Sequence, residues 1–490
     1  MLKNLNKAAI LATLASTSFA LPIDWHGELQ TDMHSLGDYN RSVTQTPGAV
    51  TNGDQAFDIG DADPDSANFQ TYIFKLQPTI IVNDSTTINA ELTSGYGYGG
   101  NFGDSSNDGR TKTGTTDATT TGSFANARYS FNTVTSNEIN LTQANAVFFS
   151  DTATYTVGRQ KFNWGLGAVY NDGSAAGSRF ASMRDGITID FKIGNFKFSP
   201  YYSKIKANNL TKTGRIREMG ISLLYENLDR EFTFGALYNK NTSGGSTSVF
   251  ADVDGDTTAT ELGSSSVTMI DLYFKKTFGK YTVEAEVPLM SGDMGEIYPG
   301  VTDTEVDAQA FLLNNTYKLN TNHSLHLDVG MVSGSKADNQ TYGAMYLNPN
   351  FQVANIMFRY NLGAIADTTQ NVFNSSITNA TYAKFAHRYD SGTWAWTNSV
   401  VWAKADQTAK AGSDAINHEK NKRFTAAADQ ADDLGFEIDS NFSYKWNTSV
   451  TINTNIGYFF VGDYYAFSNT ATPNETNDSY LIYLGADMKF

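Results

Sequence analysis

Beyond residue 20 the chain is written in short segments whose apolar and polar residues alternate one by one, and no stretch reaches the ~20 apolar residues that a membrane-crossing helix needs. Tyr72, Phe74, Leu76, Pro78 and Ile80 share one parity, while Thr71, Lys75, Gln77 and Thr79 take the other. Tyr281, Val283, Ala285, Val287 and Leu289 alternate with Thr282, Glu284 and Glu286, and Val450, Ile452 and Ile456 with Thr451, Asn453 and Asn455. A strand patterned in this way has one greasy face and one polar face. Such strands build either a soluble sandwich or a barrel in a membrane, and alternation alone does not choose between them.

The connections choose. Eighteen segments read as strands, among them 22–33, 185–193, 375–388 and 478–490, and the connections between them alternate long and short. Asn83-Asp84, Gly194-Asn195, Gly279-Lys280, Ser391-Gly392 and Asn447-Thr448 mark tight turns, whereas the connections 34–67, 96–137 and 333–374 are long and polar. Short turns at one end, long loops at the other and an even strand number are the habit of outer-membrane barrels. The expected fold is all-β: one antiparallel up-and-down transmembrane barrel over residues 21–490, of about eighteen strands, with sixteen to twenty as the range. Trp25, Trp394, Trp396, Trp402, Tyr444, Trp446 and Tyr480 fall near expected strand ends, where a ring can sit at headgroup level. The high β propensity of aromatic residues accounts for the same placement.

Residues 1–20 carry Lys3 and Lys7, an apolar run from Ala8 to Ala15, and Ser18-Phe19-Ala20 as a small-x-small cleavage site. These are the three parts of a cleaved secretory signal peptide, so the chain is expected to be exported and the barrel to begin near Leu21, with no plug domain before it. With 35 basic residues against 51 acidic ones and no basic stripe, nucleic acid is excluded as a partner. The lack of Cys removes disulfides, thiolate metal sites and a Cys nucleophile.

The last segment, Tyr480-Leu-Ile-Tyr-Leu-Gly-Ala-Asp-Met-Lys-Phe490, places Tyr480, Ile482, Leu484, Ala486, Met488 and Phe490 on one face and ends on an aromatic residue. It resembles the terminal strand of bacterial outer-membrane barrels of the porin type. That resemblance implies a bacterial outer-membrane location, contact with lipid and lipopolysaccharide, the barrel-assembly machinery as a partner, and small hydrophilic solutes as cargo. A narrower resemblance, to the alginate-export porins, is carried by Val157-Gly-Arg-Gln-Lys161 ahead of Phe162-Asn-Trp164, by the length and strand count, and by Phe490. It implies a monomer with an Arg-lined conduit for an anionic polysaccharide.

The inward-facing charges depart from that lining. The expected inner set holds thirteen acids, Asp24, Glu28, Asp32, Glu91, Asp190, Asp271, Glu284, Glu286, Asp307, Asp328, Glu437, Asp439 and Asp487. Eight bases face them: Lys75, Lys192, Lys197, Lys275, Lys384, Arg388, Lys445 and Lys489. An acidic excess favours cations or neutral solutes, unless opposite charges pair across strands and cancel the field. The segment from Leu347 through Phe351 and Arg359 to Tyr360 is too apolar for an exposed loop. It is expected to fold into the lumen as a constriction with Arg359 facing the pore; a further wall strand is the alternative.

Other chemistry is thin. Asp252, Asp254 and Asp256 offer oxygens to a possible Ca²⁺, as do Asp58, Asp61, Asp63 and Asp65, but the Gly of the first set falls between its second and third acids, unlike a full calcium loop. No other cofactor is expected. His323 and His326 point to opposite faces of a strand, and no catalytic motif is present, so an enzyme is not expected. Three readings remain: a passive channel for small hydrophilic solutes, a selective saccharide or organic-acid channel of alginate-export type, and a non-conducting structural or adhesive barrel.

Overall fold

The computed structural model describes residues 21–39, 41–43, 66–94, 100–101, 139–206, 216–243, 249–250, 260–261, 264–295, 304–337, 340–360, 372–419 and 422–490. Eighteen long strands form the wall: β1 (Ile23–Gly37), β2 (Ala67–Asn83), β3 (Thr86–Ser94), β4 (Ile139–Phe149), β5 (Thr154–Lys161) and β6 (Met183–Ile193). They continue with β7 (Phe196–Lys206), β8 (Ile216–Asn227), β9 (Phe232–Ser243), β10 (Ser266–Phe278), β11 (Tyr281–Asp293) and β12 (Glu305–Lys318). The set ends with β13 (His323–Val332), β14 (Ala380–Asp390), β15 (Trp394–Ala405), β16 (Asp433–Lys445), β17 (Val450–Val461) and β18 (Ser479–Lys489). The largest displacement of an expected boundary is at β14, which starts at Ala380 rather than 375.

Each strand pairs antiparallel with its successor, and β18 pairs with β1 from Glu28 opposite Lys489 to Gly37 opposite Tyr480, so the sheet closes on itself. Beyond the last strand, Phe490 and Gly27 exchange two backbone hydrogen bonds, Gly27 N to Phe490 O at 2.9 Å and Phe490 N to Gly27 O at 3.1 Å. Closure is a physical necessity in lipid, which offers no partner to an open edge. The Phe490 ring lies against Gly27, where a β-carbon would stand 2.2 Å from the ring; only glycine lets the ring settle over the seam.

Connections after even-numbered strands are tight turns and those after odd-numbered strands are long, so both ends of the barrel wall lie at the short-turn end. Trp25, Trp394, Trp396 and Trp446 are exposed at that end, and Trp402 and Tyr480 are exposed near the long-loop end. Between them the outward parity is apolar: Phe74, Ile187, Ile221, Phe234, Leu289, Phe385, Ile438 and Ile456 are all exposed large hydrophobics. A continuous apolar outer surface on a closed sheet makes this a β-barrel of the outer-membrane type.

One facing assignment is overturned. On β12 the residues Val306, Ala308, Ala310 and Leu312 are buried inward, and Glu305, Asp307 and Phe311 point out. Asp307 therefore lies on the outer face at the long-loop end, not in the lumen. The cause is packing: the inner wall there meets an inserted apolar segment, so the greasy parity turns inward.

Candidate functional site

Two long connections enter the barrel. The segment 162–182, between β5 and β6, brings Trp164, Ala168, Ser178 and Arg179 into buried positions. The segment 344–360, between β13 and β14, buries Met345, Leu347, Val353, Ile356, Met357, Phe358 and Tyr360 in one cluster with Leu312, Tyr382, Val401, Phe459, Leu481 and Tyr483 of the wall. Burying a side chain of this size stabilises by about 1.5–3 kcal/mol, which offsets the entropy lost in ordering the segment. Phe351 packs at the edge of this cluster. No wall strand forms from 344 to 360.

Carboxylates of the wall hold both segments. Glu437 accepts the backbone N–H of Ile356 at 2.7 Å through one oxygen and that of Met357 at 2.8 Å through the other. Glu286 accepts the N–H of Leu166. Gly165, next in the chain, has φ +55° and would bring a β-carbon within 2.5 Å of that carboxylate, so the close approach requires glycine. Asp32 accepts from Arg179 Nη2 at 3.0 Å, from the Tyr483 hydroxyl at 2.6 Å and from Gln30. His34 Nδ1 lies 2.9 Å from the Tyr360 hydroxyl.

These contacts show where the expected inward charges stand. Asp271, Glu286, Glu437 and Asp439 are 0–2 % exposed, covered by the inserted segments. Glu91 is buried with Lys161 at 2.6 Å. Others pair with bases on adjacent strands: Glu28 with Lys75 at 3.5 Å, Asp190 with Lys197 at 3.2 Å, and Glu284 with Lys275 at 2.5 Å. Lys384 stands opposite Val401 on one side and Asp328 on the other. Arg388 pairs with Asp390 at 2.8 Å, while Lys192 and Asp24 are exposed near the short-turn rim, Asp24 with His26 at 3.0 Å. Asp252, Asp254 and Asp256 lie outside the described residues, as does the leader 1–20.

Two cavities flank the 344–360 segment. A cavity of about 940 Å³ opens toward the short-turn end, and its charged lining is Arg179, Arg359, Lys445, Lys489 and Asp487. Arg359 lies with its guanidinium 5.3 Å from the centre of the Tyr483 ring. A second cavity of about 220 Å³, toward the long-loop end, is lined by Met357, Phe358, Tyr346, Tyr464, Tyr465 and His418. Neighbouring residues Phe358 and Arg359 thus face different cavities, and the segment divides one from the other.

Sequence reasoning missed Arg179, Arg184 and Glu218. Arg184 is sandwiched between Phe162 and Tyr201, 3.4 Å from each ring centre, and bonds Glu218 at 3.1 Å. The expected strand 185–193 leaves out Arg184, two residues short of the start at Met183, and Ile216-Arg-Glu-Met219 carries charge on both parities, which leaves the facing of Glu218 unreadable from alternation. Arg159, which carries the alginate-export resemblance, is on the outer face, paired with Asp185 at 2.7 Å, and lines no conduit.

His418 closes the outer cavity. Its Nε2 accepts the N–H of Ser335 at 2.8 Å, and burial pushes its pKa down to about 4 against the opposing pull of Asp406. An unfolded imidazole titrates near 6.5, so the packed state keeps full stability above that pH. As pH falls from 6.5 to 4 the opened chain takes up a proton that the packed one refuses, and up to about 3 kcal/mol of local stability is lost. Deuterium uptake over 414–425, corrected for intrinsic rate, is expected to rise at pH 4 in the native chain and to be insensitive to pH in His418→Gln. Equal protection of the native chain at both pH values would contradict this.

No family model matches the chain, and no curated protein does. Its fold is similar to solved structures from Pseudomonas aeruginosa: OpdL, with TM-score 0.50 at 9 % identity over 96 % of this chain and 98 % of that one, and OccK2 (OpdF), with TM-score 0.50 at 9 % identity over 95 % and 98 %. OmpT, an outer membrane protein of Vibrio cholerae, aligns over 97 % of this chain and 99 % of its own at 10 % identity with TM-score 0.41. The closed wall, the apolar outer surface and the two matches at TM-score 0.50 lead to one conclusion: this chain has the fold of the eighteen-stranded outer-membrane porin barrels.

Proposed function

We propose that the chain is a porin-type channel of a bacterial outer membrane, passing small hydrophilic solutes down their gradient, with segments 162–182 and 344–360 as its constriction. The observation that carries the reading is the lumenal cavity of about 940 Å³ bounded by those segments, whose lining sets Arg359, Lys445 and Lys489 against Asp487, with Arg179 already paired to Asp32. The acidic excess read from the sequence favours cations. The lumen instead favours anions, because six of the thirteen acids, Asp32, Glu91, Asp271, Glu286, Glu437 and Asp439, are buried at 0–2 % exposure and present little charge to a passing ion. Arg359 has no ion pair among the described residues, so its charge acts on the cavity.

The test is the reversal potential of the refolded protein in a planar bilayer under a salt gradient. An anion-favouring potential is expected, and Arg359→Glu is expected to lower the anion-to-cation permeability ratio by at least about threefold. A cation-favouring potential in the native chain overturns the anion preference and restores the expectation from the sequence. The tight apolar packing of 344–360 favours a second reading, a closed structural or adhesive barrel, which predicts no conductance from a properly folded protein.

A further inference from the structure

The outer wall carries a row of charge that the channel reading does not use. In the register of β5 to β8, Arg159 stands opposite Asp185, Asp185 opposite Lys204, and Lys204 opposite Arg217. On β9, Lys240 stands opposite Met219, two residues along β8 from Arg217. All five lie on the outward parity near the long-loop end. The next outward residue toward the barrel middle on each strand is apolar and exposed: Val157, Ile187, Tyr202, Met219 and Tyr238 are 37–44 % exposed. Charged residues seated directly above a lipid-facing ring of this kind stand at headgroup level.

The row is strongly basic. Arg159 is held by Asp185 in a bidentate pair at 2.7 and 2.8 Å, which leaves Lys204, Arg217 and Lys240 with no ion pair among the described residues. With strands about 4.8 Å apart, the row from β5 to β8 spans about 14 Å of wall. Farther round the same end the outward charges of β11 and β12 are the acids Asp293, Glu305 and Asp307, and on β15 the outward Lys404 stands opposite Asp433, so the unpaired basic row is local.

We propose that the outer wall over β5 to β9 is a docking surface for the phosphate groups of lipopolysaccharide in the outer leaflet. Clustered cations above an apolar belt match an amphiphile with anionic phosphates above acyl chains. Arg and Lys at this depth donate charge-assisted hydrogen bonds to phosphate oxygens while their stems and the ring below contact the chains. The neutralised Arg159–Asp185 pair fixes one end of the row, and the three remaining cations supply the attraction.

The experiment compares the affinity of the full-length folded barrel in detergent for bisphosphorylated lipid A and for the same lipid with both phosphates removed. Native protein is expected to prefer the phosphorylated lipid by at least about tenfold. Lys204→Gln/Arg217→Gln/Lys240→Gln is expected to bring that ratio close to one. Asp293→Asn/Glu305→Gln/Asp307→Asn, which alters as many charges elsewhere on the rim, is expected to keep it. Folding of each variant is checked by circular dichroism and heat-dependent gel mobility; should the triple variant misfold, the single changes Lys204→Gln and Arg217→Gln are each expected to lower the ratio. Equal affinity of native protein for both lipids, or a preference unchanged in the folded variants, overturns the proposal. Displacement of the lipid by millimolar inorganic phosphate would also overturn it, by showing a site for the free ion instead of the membrane lipid.

Discussion

Replacing residues 347–360 by a short Gly-Ser link is expected to raise single-channel conductance by about threefold or more, since an eighteen-stranded wall leaves an aqueous lumen unless something fills it. The segment contributes Leu347, Val353, Ile356, Met357, Phe358 and Tyr360 to the cluster that packs the lumen, and it stands between the two cavities. The wall around it is already closed by its own hydrogen bonds, so the barrel survives the deletion. Glu437→Ala tests the same idea more gently. It strips the acceptor from the N–H groups of Ile356 and Met357, each a hydrogen bond of about 0.5–1.5 kcal/mol, and is expected to give current that flickers between the native level and the higher one. Unchanged conductance after the deletion would show that ions pass by a route this segment does not bound, and the constriction would have to be sought at 162–182.

Removing Phe490 is expected to lower the yield of folded barrel by about tenfold or more, read as the heat-modifiable band after expression. The deletion takes away both backbone bonds to Gly27, at 2.9 and 3.1 Å, and the ring that covers the seam. In lipid each freed group stays without a partner, and the loss falls on the one wall pair whose two strands are not consecutive in the chain. Phe490→Ala keeps the backbone bonds and separates the two contributions. If assembly machinery reads the terminal aromatic residue, Phe490→Ala is harmful in cells yet mild when the protein is refolded into detergent. A deficit of the same size in both settings would assign the effect to the seam itself.

Much of this molecule is written locally. Alternation along each strand, the turn residues at Asn83-Asp84 or Gly279-Lys280, and the aromatic terminus at Phe490 each act over a few residues, and the sequence alone determined eighteen strands and their order. The greasy run 347–360 could be recognised as misplaced for an exposed loop because its composition is itself a local signal. What it packs against is not local. Glu437 and Ile356 are 81 residues apart, and Glu286 and Leu166 are 120 apart, so no pattern of spacing announces those bonds.

Facing was legible where only lipid and water competed for a strand, and it failed where protein filled the lumen. Asp307 was read inward because polar residues face the pore, but Val306, Ala308 and Ala310 had an apolar segment to cover and took that side. Alternation tells which residues share a face; it does not tell what the face will meet. The sequence by itself therefore determined the wall, since each strand's hydrogen bonds and parity follow from its own residues and its neighbours in order. Only the tertiary structure decided the throat, because whether Glu437 lines a pore or anchors a loop depends on where distant chain arrives in the lumen.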